Sequence, residues 1–461
     1  MGDEAAEDAG RRVAPTADRA SGTAPPTGRS SAGEILRLAI PAFGALVAQP
    51  LFTLIDAAIV ATLGTTSLAA LAAGAQVFTT VTGLAIFLAY GTTAVVARRV
   101  GANQTARGIT DGIEGVALGV ALGFAATALT WLAAPLLLDW LGTSPRTTEP
   151  ALHYLRTISL AFPFALAAMA AIGVLRGLQD TATTLWITLV GVGTNLALAA
   201  YLVLVAEWGI TGSAWATVAA EVVSAALYLW VLARRARHHR AVLLPSRSGV
   251  LVAARGAVPL FWRTVALRAV IVLAIAVAAR LGDAELAAYY VTFTVWYLLA
   301  LGMDALAIAG QAMLVRHLGA GAADRARAVT WQMTRWGVWL GVLLMIGVLL
   351  VRTWVPGLFG DDPVVHAMVA SALVVVALQQ PLAGVVFVLD GVLLGAGDAI
   401  YLAWAQTAAL IAFAPAAAWV LHTHGSVTQL WLALTLFMVI RAVAFVGRIR
   451  GAAWLVTGAT R

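Results

Sequence analysis

One acid stands inside a long apolar run. The segment PLFTLIDAAIVATLG carries Asp56 about six residues from its far end, which at about 1.5 Å per helical residue sets the carboxyl ~9 Å below a membrane boundary. Ionisable groups in hydrocarbon are costly and are candidates for function. Desolvation penalises a charged carboxylate. An acid in that layer can therefore take up and release a proton, or stay ionised and hold a cation. Asn195 and Thr217 lie at similar depths in two later apolar runs, so the three share a layer. The alternative for Asp56 is a packing hydrogen bond, which a neutral Asn would provide at lower cost.

A second polar set lies further along the chain. Arg268 and Asp304 match in depth, and so do Arg263 and Asp390. Neutralised ion pairs that pack this half are the first expectation; a gate that breaks during movement is the other. Glu221, near the middle of its run, either faces a cavity or meets Ser224. Arg156 is placed to snorkel at a membrane edge, and His153 beside it reads as interfacial. There is no Walker A loop, no GxSxG and no HExxH, and Cys is absent. The pair His238–His239 lacks acidic or thiol companions. The chain is not expected to be an enzyme, to hold a metal or to need a cofactor.

The elements that position these residues follow from composition. Of 461 residues 61% are hydrophobic and 11% charged, where a soluble domain carries about 25% charge. This is an all-α, polytopic membrane protein. A core of ~30 Å needs about 20 apolar residues in helix. That ruler predicts twelve spans: 37–62, 70–97, 110–133, 150–177, 182–204, 211–233, 251–279, 287–315, 327–351, 366–394, 400–420 and 427–448. Several are long enough to tilt or kink. The Gly115–Gly119–Gly123 spacing fits close helix packing in the third.

The spans divide six and six. Adding 218 to Pro41, Gly64, Gly101, Pro163, Gly177, Asp180 or Trp186 gives Pro259, Gly282, Gly319, Pro381, Gly395, Asp398 or Trp404. Such repeats usually make two lobes around a central site. Asp56 maps to Ala274, so only the first half has this acid. The expected organisation is a polar, disordered tail 1–33, a first lobe 34–233, a basic linker 234–250, a second lobe 251–450 and a tail 451–461. Pro41 and Pro259 are expected kinks, Pro41 with a possible hinge role. All 29 basic residues are Arg. They crowd the loops on the side of both termini, including Arg98, Arg99, Arg234, Arg235 and Arg316, which places the termini in the cytoplasm. The net charge of +7 is read as topology, with anionic lipid as a further contact of the linker and nucleic acid excluded.

Taken in order, PLFTLIDAAIVATLG–TTSLAALAAG, GVLRGLQDTATTLW, GITGSAWAT, AARLGDAELAAYYV and LDGVLLGAGD resemble the multidrug and toxic compound extrusion (MATE) family, its DinF-like branch in particular, over about residues 34–450. The resemblance implies a V of two pseudo-symmetric six-helix bundles. It also implies export of organic cations or amphipathic compounds, driven by H⁺ or Na⁺ across a bacterial plasma membrane. By the same resemblance Asp56 is the coupling acid, Asn195 and Thr217 line its pocket, and Pro41 is the bending proline. The family pattern often has a second acid where this chain has Ala199. Its loss leaves a poorer cage for Na⁺, so H⁺ coupling is favoured. A lipid or lipid-linked sugar flippase of the wider superfamily and a passive channel are the competing classes. The small-molecule cargo is not specified further, and a monomer is the default.

Overall fold

The computed structural model describes residues 32–141, 145–360 and 362–458. The expected tail 1–33 lies outside the described residues except for its last two, as does the end of the C-terminal tail. The described elements are helices throughout. In chain order they are α1 (Ala32–Ala61), α2 (Thr65–Leu84), α3 (Phe87–Gly101), α4 (Thr105–Trp140), α5 (Pro145–Ser159), α6 (Phe162–Gly177), α7 (Thr181–Ala200), α8 (Gly209–His239), α9 (Arg247–Leu281), α10 (Asp283–Gly319), α11 (Ala323–Val351), α12 (Pro363–Leu378), α13 (Gln380–Gly395), α14 (Ala399–His422) and α15 (Val427–Arg450). A π turn, Tyr201–Val205, continues α7.

Among the described residues ten stretches are long and apolar enough to cross a membrane, α2 and α3 together forming one of them. Two bent pairs raise the number to twelve: α5–α6 at 45° and α12–α13 at 52°. These are the twelve expected spans, and the protein is a multi-pass membrane protein. Large apolar side chains such as Leu54, Leu132 and Trp339 stand exposed on the helices, as a lipid solvent permits.

The bends obey the repeat. Pro163 opens α6 and Pro381 opens α13, at helix starts where a missing N–H costs nothing. Gly123 of α4 lies against Pro163, and Gly341 of α11 against Pro381. A Cβ at either glycine would strike backbone, so the close approach depends on glycine. Pro41, Pro50 and Pro259, by contrast, lie inside helices that continue without interruption.

The helices pack as two bundles, α1–α8 and α9–α15. Their ends are tied alike. Asp180, at the start of α7, pairs with Arg235 of α8 at 2.7 Å; Asp398, at the start of α14, pairs with Arg448 of α15 at 2.7 Å. The expected linker 234–250 is largely helical, since α8 runs to His239 and α9 begins at Arg247.

The bundles meet on the side of the termini. The first contributes α1, α3 and α4, the second α9, α10 and α13. The tightest crossing is at the repeat-related pair Gly101 and Gly319: a Cβ on Gly101 would meet the Arg316 carbonyl, and one on Gly319 the Arg98 carbonyl. Contact continues through Gln311 Nε2, which donates to the Tyr90 carbonyl at 3.4 Å, and the edge-on pair Phe87–Phe261 at 5.8 Å. It reaches Gly83, against which the Arg268 guanidinium rests. Gly83 is the midpoint of the 36-residue span Thr66–Gly101. Beyond it, α2 packs chiefly on α5 and α1 of its own bundle. Among the described residues the contacts between the bundles gather from the terminal face to the level of Gly83, so the cleft is closed at that face.

Candidate functional site

Asp56 is 6% exposed inside the first bundle. It hangs from α1 toward α8, where the fully buried Ser213 hydroxyl faces both carboxylate oxygens, at 2.9 and 3.2 Å. One hydroxyl proton serves two acceptors, so among the described residues the carboxylate is held by a single shared donor. Among the described residues no basic group lies within ion-pair distance of it. The buried Tyr154 of α5 belongs to the same electrostatic neighbourhood.

The other first-lobe candidates adjoin this pair. Thr217 Oγ1 donates to the Ser213 carbonyl at 3.2 Å, a bond natural to residues four apart on a helix. Asn195 of α7 donates from Nδ2 to Thr217 Oγ1 at 3.0 Å. A continuous polar path thus runs from Asp56 through Ser213 and Thr217 to Asn195. It ends on Asn195 Oδ1, a buried acceptor without a hydrogen-bond partner among the described residues. Ala199, one turn further, is fully buried and adds nothing polar. Ala274, the repeat partner of Asp56, is also fully buried. Ser213 is the residue that sequence reasoning missed. Its spacing of four from Thr217 in GITGSAWAT was the available signal.

Pro41 lies on the stretch of α1 that meets the second bundle. Its neighbour Ala42 packs with Leu46 against Ala305 and Ile308 of α10. The polar path and the inter-bundle contact therefore share one helix.

In the second bundle Arg263 and Asp390 form a buried ion pair, with Arg263 Nε donating at 3.3 Å and Nη2 making the closer contact. Arg441 of α15 stands 3.9 Å from the same carboxylate, a neighbour not singled out from sequence. Gln406 donates to it at 3.5 Å. One carboxylate thus lies between two guanidiniums. The depth match of Arg268 with Asp304 does not yield a pair: no ion pair joins them. Arg268 is exposed and turned to the first bundle, while Asp304 is half-buried. No hydrogen bond joins Glu221 to Ser224, whose hydroxyl lies against Gly191 instead.

Arg98, read from sequence as a topology charge, is 4% exposed and spans the closed face. It donates to the Ala396 carbonyl at 3.0 Å and to the Val456 carbonyl at 2.7 Å. The C-terminal segment is held there by the fully buried Trp454 and by Gly458 N–H on the Leu318 carbonyl at 3.0 Å. No cluster of metal-ligating side chains occurs among the described residues.

The MatE family profile matches residues 41–201 and 265–420. Protein DETOXIFICATION 43 of Arabidopsis thaliana is 31% identical over 336 residues, which cover 72% of this chain and 63% of that protein, just under two thirds of its length. DNA damage-inducible protein F of Escherichia coli K12 is 26% identical over 431 residues, covering 90% and 91% of the two chains. Among solved structures, an outward-facing conformation of a multidrug resistance MATE family transporter superposes with a TM-score of 0.82 at 21% identity, covering 91% of this chain and 96% of that one. With the profile spanning both bundles and the fold shared along nearly the whole chain, the protein belongs to the MatE family of multidrug and toxic compound extrusion transporters.

Proposed function

We propose that this transporter exports cationic or amphipathic small compounds by H⁺ antiport, with Asp56 as the group that gains and loses the proton. The observation that carries the reading is the Asp56–Ser213 contact: a buried carboxylate held by one shared hydroxyl and by no counter-charge among the described residues. A carboxylate locked to an arginine could not change its charge cheaply; this one can. Protonation removes the charge and the need for the Ser213 donor. It thereby alters how α1 sits against α8, and α1 also carries the Pro41–Leu46 contact with α10. In this cycle the acid is loaded from the face away from the termini and cargo leaves. The bundles, about residues 34–233 and 251–450, then rock, and the proton is released to the other side. The termini are cytoplasmic in this reading, the membrane is a bacterial plasma membrane, and the working unit is a monomer. A proton gradient worth 100 mV supplies about 2.3 kcal/mol per charge, roughly a fifty-fold concentration ratio.

Sodium is the second reading, and the unpartnered Asn195 Oδ1 is what favours it. A Na⁺ cage wants several oxygens, and the fully buried Ala199 contributes none. The test is export of fluorescent compounds from proteoliposomes under separate H⁺ and Na⁺ gradients. Wild type should respond to H⁺, and Asp56→Asn should insert and fold but lose that response. Full activity of Asp56→Asn, or export driven by Na⁺ at zero pH difference, overturns the assignment.

A further inference from the structure

Arg268 stands at mid-span on α9 and is exposed, yet its guanidinium touches the opposite bundle at Gly83. It therefore lines the space between the bundles and does not face lipid. Among the described residues it makes neither an ion pair nor a hydrogen bond. The contrast with Arg263, five residues earlier and paired with Asp390, is informative. A guanidinium is always charged, and an unneutralised one at the middle of a bilayer is costly. That cost is tolerable where water or an anion reaches the group. Exposed aromatic side chains lie on α9, two turns nearer the terminal face, and on α10. Phe261 is 41% exposed and Tyr297 is 44% exposed; Phe87 packs on Phe261 from the other bundle, and Tyr297 lies in the field of Arg268. Asp304, two turns from Tyr297 on α10, is the acid of this region, and it is not paired with Arg268.

We propose that Arg268 is a cargo-binding residue that receives the carboxylate or sulfonate of an amphipathic organic anion, whose ring system lies along Tyr297 at the level of Gly83. This deepens the export reading by naming a cargo class. It rests on that reading only in taking the cleft as the cargo's path. A planar fork of N–H donors suits a carboxylate, and aromatic walls suit the apolar remainder.

The test is equilibrium binding to the purified full-length transporter in detergent, with no ion gradient, read by fluorescence anisotropy. The probes are carboxyfluorescein and the cationic dye ethidium. Wild type should bind carboxyfluorescein, and Arg268→Gln should raise its Kd by on the order of tenfold or more, the loss of one charge-assisted contact. Arg268→Lys should fall between them, and ethidium should bind the variants at least as well as wild type. Gly83→Ala, whose Cβ displaces only the flexible guanidinium tip, should weaken carboxyfluorescein alone and guards against a folding artefact. Asp56→Asn should bind the anionic dye normally, which separates a failed coupling assignment from a failed binding one. Equal binding of carboxyfluorescein by wild type and Arg268→Gln, or equal loss of both dyes by a folded variant, overturns the proposal. So does an Arg268 dependence seen only with labelled phosphatidylglycerol, which would make the bound anion a lipid headgroup.

Discussion

Replacing Gly101 or Gly319 with Ala should open the closed face. At Gly101 the new methyl would sit 2.9 Å from the Arg316 carbonyl carbon, 3.0 Å from its Cα and closer still to its oxygen. At Gly319 it would meet the Arg98 carbonyl and come within 3.0 Å of Gly101 Cα. The obstacle in both cases is helix backbone, which cannot rotate aside as a side chain can. The helices must separate, or the contact must break. Overpacking of this kind costs about 1–3 kcal/mol. Because it burdens only the conformation in which the bundles touch here, it converts to a roughly five- to 150-fold shift in the ratio of closed to open. The two substitutions act on one crossing, so the double variant should fall short of additivity. The chain has no cysteine, so labels can be placed without background. Spin labels on Gln104→Cys and Ala328→Cys, exposed on the terminal side of the two bundles, report the separation by pulsed EPR. A longer-distance population should appear in both alanine variants. Gly302→Ala, in the same α10 but with nothing within 4 Å of its Cβ, should leave the distribution unchanged. Superimposable distributions for the parent and Gly101→Ala would refute the reasoning, because the Gly101–Gly319 seam could then not be what holds that face shut.

Other perturbations separate the remaining roles. Truncation after Arg450 removes Trp454 and the Val456 carbonyl that Arg98 grips; the same spin-label pair should show the longer distance, and an unchanged distribution would leave that segment without a part in closure. Ser213→Ala takes away the one donor seen on Asp56. It should slow H⁺-driven export by on the order of tenfold while retaining coupling, whereas Asp56→Asn loses coupling altogether. Asp390→Asn strands Arg263 and Arg441 without their shared counter-charge and should lower stability by about 3–5 kcal/mol, read as thermal unfolding in detergent; an unshifted Tm would mean the cluster is hydrated in the folded protein.

The twelve spans were legible because lipid imposes one rule along the whole chain: long apolar helix. The same rule made Asp56 conspicuous and set Asn195 and Thr217 in its layer. It did not by itself expose Ser213, since a serine is cheap in a membrane helix; only its spacing of four from Thr217 marked it, and that spacing gains meaning once Asp56 is known to be its partner. Nor could it locate the bends. Pro163 and Pro381 were visible as a repeat pair, but a proline at a helix start is compatible with a straight or a broken span. The choice is made by Gly123 and Gly341 on neighbouring helices. Arg98 was read as a topology charge because composition cannot distinguish an arginine facing water from one reaching across to Ala396 and Val456.

The arginines of α9 show most clearly where depth stops being enough. Arg263 and Arg268 each had an acid at matching depth, so two ion pairs looked equally good. Depth is one coordinate of a helical residue; the other is its azimuth. At about 100° per residue, five residues turn the chain through roughly 500°, leaving the two side chains about 140° apart. Side chains set that far apart on one helix meet different partners. Arg263 pairs with Asp390 while its guanidinium stands 5.8 Å over the Tyr90 ring of the first bundle; Arg268 is carried round to Gly83 and forms no ion pair with Asp304. The geometry that pairs the first arginine with Asp390 is what leaves the second against Gly83, the position from which the proposed cargo contact is argued.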